Sequence, residues 1–269
     1  MKQDRDFGLN RIIKPDLDLT EFIRFAASCG ASYVEIRNDL ADPALLGRES
    51  ADAVNAACRE TGISILTVNA LQRFNDPALR EAKKDELRKI METAASVGCR
   101  EIVLCPVNDP QDDRAAAGQH ADLVTALRAY APLFAQHGMI GLVEPLGFAI
   151  CSVRFKASAV AAIQESGHTD LYKLVHDTFH HYLSGEQEVF PEETGLVHAS
   201  GVPAGKARDE ITDDDRVLVD AGDVMNNRGQ ISELYRRGCT AELSYEPFSS
   251  DVGNLTTDEL REQVAQSIA

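Results

Sequence analysis

Short apolar, β-branched runs alternate with longer amphipathic stretches along the whole chain. The runs read as strands at 7–10, 33–37, 63–69, 101–105, 140–145, 172–176, 195–199 and 241–246. Several are almost continuously apolar, such as Ile102-Val103-Leu104 and Leu142-Val143, as expected of parallel strands covered on both faces. Helical patterns fill the intervals at 19–29, 43–61, 77–97, 122–136, 157–166, 231–237 and 257–268. Gly30, Gly62, Gly98, Gly138, Gly167 and Gly238 each follow a helical pattern and precede a strand by a few residues. A left-handed cap is needed there, and glycine adopts it without steric cost. Thr256 or Thr257, with Asp258 and Glu259 behind it, opens the last helix.

Eight strand–helix units in 269 residues predict an α/β chain folded as one (β/α)8 TIM barrel, residues 1–269 forming a single domain. The sixth connection, Ser184–Glu193, is short and weakly helical. An open doubly wound sheet is the alternative, but the glycine-rich phosphate fingerprint is missing after the first strand. No internal repeat or low-complexity tract interrupts the pattern. The longest irregular stretch, Gly201–Val217, carries Asp209, Glu210, Asp213, Asp214 and Asp215. It follows the seventh strand, where barrel loops face the active site, and is expected to cover it.

Composition narrows the partners. Lys and Arg number 27 against 43 Asp and Glu, a formal charge of −16, with no basic cluster of the kind that binds nucleic acid. No apolar run reaches the roughly 20 residues of a membrane span, and the polar start Met1–Asp6 is not followed by a signal core, so the cytoplasm is the expected location. The six cysteines (Cys29, Cys58, Cys99, Cys105, Cys151 and Cys239) show no paired spacing and read as small buried hydrophobes of a reducing compartment. The composition is compatible with assembly of copies of the chain into a homo-oligomer.

In a barrel, residues at the C-terminal ends of the strands converge on one pocket. Strand five ends in Val143-Glu144-Pro145, strand six in Val175-His176-Asp177, strand seven in Val197-His198-Ala199 and strand eight in Tyr245-Glu246-Pro247. Taken singly, each polar residue has an ordinary explanation: a solvated glutamate, an Asp177 N-cap, a satisfied core histidine. Together, three carboxylates and an imidazole on four consecutive strands would repel one another unless a cation neutralises them. Such a set suits a divalent metal ion, with Mn²⁺ preferred and Mg²⁺, Co²⁺ or Zn²⁺ compatible. Weaker candidates for holding hydroxyl groups stand at earlier strand ends: Glu35, Arg37, Asn69, Arg73 and Asn108. Internal salt bridges or capped loops explain these equally well. His181 reads as pocket wall or surface, and Glu242, four before Glu246, as a deeper buried charge.

The runs Val-Glu-Pro (143–145), His-Asp-Thr-Phe-His (176–180), Val-His-Ala-Ser-Gly-Val (197–202) and Tyr-Glu-Pro-Phe-Ser (245–249) resemble the xylose-isomerase-like superfamily of sugar isomerases and epimerases. Within it, Thr194–Val202, Asp215–Val219 and Ser244–Phe248 are most similar to 2-keto-myo-inositol (inosose) isomerases of inositol catabolism. The resemblance implies a polyhydroxy ketone substrate whose carbonyl moves between adjacent carbons through an enediolate. It implies Glu144, Asp177, His198 and Glu246 as metal ligands, with Glu144 and Glu246 also the proton-transfer pair. It implies substrate contacts by His180, Arg216 and Arg154. The segments Val202–Asp215 and Asp220–Arg228 depart from that pattern. A ketose 3-epimerase or an inosose dehydratase would use the same metal residues. An endonuclease-type hydrolase would need further histidines along the first four strands, and a non-catalytic sugar-binding barrel would not need the metal set.

Overall fold

A computed structural model describes residues 6–268; residues 1–5 and 269, counted in the domain above, lie outside the described residues. Eight parallel strands close into a barrel in sequence order: β1 (Phe7–Asn10), β2 (Tyr33–Arg37), β3 (Ser64–Gln72), β4 (Glu101–Cys105), β5 (Ile140–Val143), β6 (Tyr172–Asp177), β7 (Thr194–Ala199) and β8 (Glu242–Tyr245). The helices are α1 (Leu19–Ser28), α2 (Ala51–Thr61), α3 (Arg80–Ser96), α4 (Ala116–His137), α5 (Lys156–Ser166), α6 (Thr178–Ser184), α7 (Asn227–Arg236), α8 (Ser250–Gly253) and α9 (Thr257–Ile268). The (β/α)8 expectation holds, and all six glycines marked as helix stops have positive φ.

The amphipathic helices pack their apolar faces on the strands, so the main core lies between barrel and helices. Leu9, Val34, Ile36, Leu87, Tyr130, Phe134 and Leu260 are buried there. A smaller core fills the barrel interior, where Val103, Leu142, Val175 and Leu196 meet on strands β4 to β7. On the opposite side of the interior the inward positions are polar: Glu35, Thr67, Asn69 and Ser244 are all buried. This asymmetry sets the chemistry, because polar groups in a dry interior must find partners in one another.

Three elements depart from the sequence pattern. Helix α2 starts at Ala51 rather than near Pro43, because the Ser50 side chain accepts the Ala53 amide and caps it there. The sixth helix lies at Thr178–Ser184, earlier than the Ser184–Glu193 connection, because Asp177 ends β6 and caps the following turn at once. Pro132 sits inside α4, which nevertheless runs from Ala116 to His137. The stretch 201–217 is pinned at its base by an antiparallel bridge between Gly201 and Val217. Ile211 within it is buried against Phe179, Leu183, Val202 and Met225. Cys99, Cys105, Cys151 and Cys239 are buried, Cys29 and Cys58 half-buried, and all six thiols are free. No helix among the described residues is long and apolar enough to cross a membrane.

Candidate metal centre and substrate cavity

Consecutive strand ends bring the four expected residues together. Glu144 directly follows β5, Asp177 ends β6, His198 is the penultimate residue of β7, and Glu246 directly follows β8. The register sets Asp177 beside His198 and His198 beside Ser244. One donor atom from each of Glu144, Asp177, His198 and Glu246 lies within 4.8 Å of the others, and all four residues are buried. The imidazole stands between the glutamates, its Nδ1 3.0 Å from Glu144 Oε1 and 3.2 Å from Glu246 Oε2.

Further side chains fix these carboxylates. Arg216 Nη2 lies 2.7 Å from Asp177 Oδ2 and 3.0 Å from Glu246 Oε2, while its Nε donates to Ser200 Oγ at 3.0 Å. The Arg216 guanidinium also stacks on the rings of Phe179 and Phe248, 4.8 and 4.6 Å from their centres. Glu246 Oε1 accepts from Asn10 Nδ2 at 3.0 Å and from Arg37 Nη1 at 2.7 Å. Arg37 in turn forks onto Asp39 at 2.8 and 2.7 Å. Asp177 Oδ1 accepts the Phe179 amide at 2.7 Å, the cap that starts α6.

This donor set fits a divalent cation. Hard carboxylate oxygens with one imidazole nitrogen are the ligand class of such ions. Separations of 3.0 and 3.2 Å between His198 Nδ1 and the glutamate oxygens suit the edges of a shell. Bonds in such a shell are about 2.0–2.2 Å long. A carboxylate oxygen has two lone pairs, so Asp177 Oδ2 and Glu246 Oε2 can accept from Arg216 and still offer a ligand direction.

The electrostatics are those of tightly interlocked charges. Burial alone would push the Glu246 carboxyl up, but the charges of His198, Arg216 and Arg37 hold it well below the usual carboxylate range. Burial works against the His198 imidazolium, yet Glu246 and Glu35 raise its pKa well above the ordinary value. Burial likewise opposes ionisation of Glu35, and the facing His198 charge lowers its pKa on balance. Cys105, 3.4 Å from Glu144 Oε2, is held as a thiol because burial and the Glu144 charge raise its pKa well above normal.

A cavity of about 420 Å³ opens at this end of the barrel, within the range of small-molecule pockets. Glu144, Glu246, Asn69, His180 and Arg216 line it, with Arg37, Arg73 and Asn108 among the weaker candidates. Asp213 of the acidic stretch reaches it as well, so that stretch does border the site. Glu35 is 0% exposed and does not line the cavity; its carboxylate lies 3.0 Å from His198 Nε2. Arg154 lines a neighbouring cavity with Arg208 and Ile211, and its guanidinium donates to the carbonyls of Gly147 and Leu183 at 3.0 and 3.4 Å. The His181 ring faces that of His176, 4.8 Å away, and is not part of the cavity wall. Glu242 acts on Glu101, whose carboxyl is pushed up to about 7 by burial together with Glu242 and Glu35.

Sequence reasoning passed over Asn10, Asp39, Cys105 and Phe248. Asn10 and Cys105 are the last residues of β1 and β4, the signal that identified Glu144 and Glu246. Phe248 lies in the Tyr-Glu-Pro-Phe-Ser run (245–249), but nothing in the sequence shows that its ring receives two guanidinium groups, those of Arg37 and Arg216.

Among solved structures, a xylose isomerase domain containing protein from Salmonella typhimurium LT2 is 31% identical. It covers 100% of this chain and 97% of its own, with a TM-score of 0.91. The IolI protein, solved with a bound zinc atom, is 21% identical with a TM-score of 0.88 and covers 97% of this chain and 96% of its own. A D-psicose 3-epimerase, solved in the presence of D-fructose, shares the fold at 16% identity and a TM-score of 0.71, over 98% of this chain and 96% of its own. No curated protein sequence matches the chain significantly. The family described as xylose isomerase-like TIM barrel matches residues 23–269, and the chain belongs to it.

Proposed function

We propose that this protein is a divalent-metal-dependent isomerase of small polyhydroxy ketones, with 2-keto-myo-inositol as its substrate and Mn²⁺ as its preferred ion. The observation that carries the proposal is the meeting of Glu144, Asp177, His198 and Glu246 in one cluster whose two glutamates line a cavity of about 420 Å³. That the IolI protein, which shares this fold, was solved with a bound zinc atom supports the reading of a metal-dependent protein. A divalent ion held by these four residues would supply Lewis acidity to polarise the substrate carbonyl.

The protein side chains do the rest. Glu144 and Glu246 flank His198 and form the proton-transfer pair. One carboxylate takes the proton from the hydroxyl-bearing carbon next to the carbonyl, the other delivers a proton to the former carbonyl carbon, and the hydroxyl proton passes to the former carbonyl oxygen, so that C=O and CH–OH exchange places. Arg37, Asn10 and Arg216 hold both oxygens of Glu246 in place, so its position is set before substrate arrives. Asn69, Asn108 and His180 offer donors and acceptors to ring hydroxyls from the cavity wall. Phe148 and Phe248 close its apolar sides.

The test is incubation of metal-loaded protein with 2-keto-myo-inositol and, separately, with ketohexoses, followed by NMR. A new isomeric ring ketone supports the proposal. Loss of water instead identifies a dehydratase, inversion at one carbon of a ketohexose identifies a 3-epimerase, and a bound metal with no turnover of any polyol ketone identifies a binding protein. Each of those three results overturns the isomerase assignment.

A further inference from the structure

Glu35 sits on the inward face of β2, two residues before Arg37 and so about 6.6 Å deeper in the barrel. Its neighbourhood is unusual for a carboxylate. Val103, Leu142, Val175 and Leu196 fill the opposite side of the same interior. A charge buried in such an interior is costly unless hydrogen bonds engage it. All three of its hydrogen bonds fall on Oε2, which accepts from Thr67 Oγ1, from Asn69 Nδ2 at 2.7 Å and from His198 Nε2 at 3.0 Å, while Oε1 has no hydrogen-bond partner among the described residues. Thr67 and Asn69 lie two apart on β3, on the same strand face, and their mutual contact of 3.1 Å fixes both.

We propose that Glu35 is the positioning residue of the metal centre: by accepting the Nε2–H of His198 it fixes the tautomer and the ring plane, so that Nδ1 is presented to Glu144 and Glu246. The inference rests on the reading of those residues as cation ligands. A neutral imidazole has one N–H and one lone pair. A permanently engaged acceptor behind Nε2 therefore leaves the lone pair on Nδ1, whose nearest carboxylate oxygens belong to the two glutamates. Thr67 and Asn69 hold Glu35 as Glu35 holds His198, which makes a chain of hydrogen bonds from β3 through β2 to β7. A carboxylate behind a ligating histidine also raises the basicity of the ring, and losing it typically weakens metal binding about 10- to 100-fold.

Two measurements test this. In zinc-loaded protein with ¹⁵N-labelled histidine, long-range ¹H–¹⁵N spectra assign each ring nitrogen, with His198 identified by the signals lost in His198→Gln. Protonated Nε2 with metal-bound Nδ1 is the expected result; metal-bound Nε2 overturns the proposal, and this measurement needs no substitution at Glu35. Zinc affinity is then read by competition with a chromogenic chelator. Glu35→Leu is expected to weaken binding about 10- to 100-fold, and to have almost no effect when His198→Ala is already present. Unchanged affinity in Glu35→Leu, or a loss that persists without the His198 ring, overturns the proposal while leaving the cation site standing. Wild-type protein that takes up no zinc overturns the cation site itself, and the role of Glu35 with it.

Discussion

Replacing Lys156 with methionine removes an amine from the interior of the protein. Lys156 opens α5, is 4% exposed, and places Nζ 2.7 Å from His176 Nδ1. The His176 ring is oriented from its other side: Nε2 lies 3.2 Å from Gln230 Oε1, and the Gln230 amide nitrogen donates to the carbonyls of Thr178 and Met225. His176 Nδ1 is therefore the acceptor and Lys156 the donor. Burial outweighs the charges of Glu186 and Glu188 and pushes the lysine down from 10.5 to about 7. Between those values the unfolded chain binds a proton that the folded chain does not, so the stability of the wild type rises with pH across that window. At 1.36 kcal/mol per pH unit, the amine opposes folding by about 4 kcal/mol at pH 7 and is relieved of about 2 kcal/mol by pH 9. Methionine keeps most of the volume but leaves His176 Nδ1 without a donor, a loss of about 1 kcal/mol. The expected net gain for Lys156→Met is thus about 3 kcal/mol at pH 7, shrinking to about 1 kcal/mol at pH 9. Urea unfolding followed by circular dichroism at the two pH values measures it. A variant less stable than the wild type at pH 7, or a difference that does not shrink by pH 9, would refute the reasoning.

The site itself gives further expectations. Glu144→Gln and Glu246→Gln should each lower turnover at least about 100-fold, the scale of a lost acid or base, with the far-ultraviolet dichroism unchanged; near-full activity in either removes that residue from the proton-transfer pair. Prolonged chelation should abolish activity and Mn²⁺ should restore it, as followed by metal analysis alongside the rate. Arg216→Met leaves Asp177 and Glu246 facing each other without the guanidinium, and should destabilise the metal-free protein by about 3–5 kcal/mol in urea unfolding.

The strands were legible because burial on both faces writes a continuous apolar run into the sequence, and all eight emerge within a few residues of their expected bounds. The four residues that meet at the strand ends were legible for a related reason: each is a polar residue standing where such a run stops. Depth was not legible. Glu35 and Arg37 lie on one face of β2, and period-two alternation cannot show that Arg37 reaches the cavity while Glu35 ends below it against His198. Nor does a sequence show where a long side chain turns. Arg154 donates its guanidinium to the carbonyls of Gly147 and of Leu183 in α6, and Arg216 places its guanidinium over two phenylalanine rings. The sixth helix escaped notice because Asp177 both ends a strand and caps a helix, leaving no loop between them to mark the boundary.

The most direct measurement is exchange of the substrate proton next to the carbonyl, followed by NMR in D₂O with 2-keto-myo-inositol. Metal-loaded wild type should introduce deuterium at that carbon and at the adjacent carbon of the isomeric ketone. Chelated protein, verified metal-free, should do neither, and Glu144→Gln should form no labelled isomeric ketone. Exchange that continues undiminished after the metal has been removed would contradict the account.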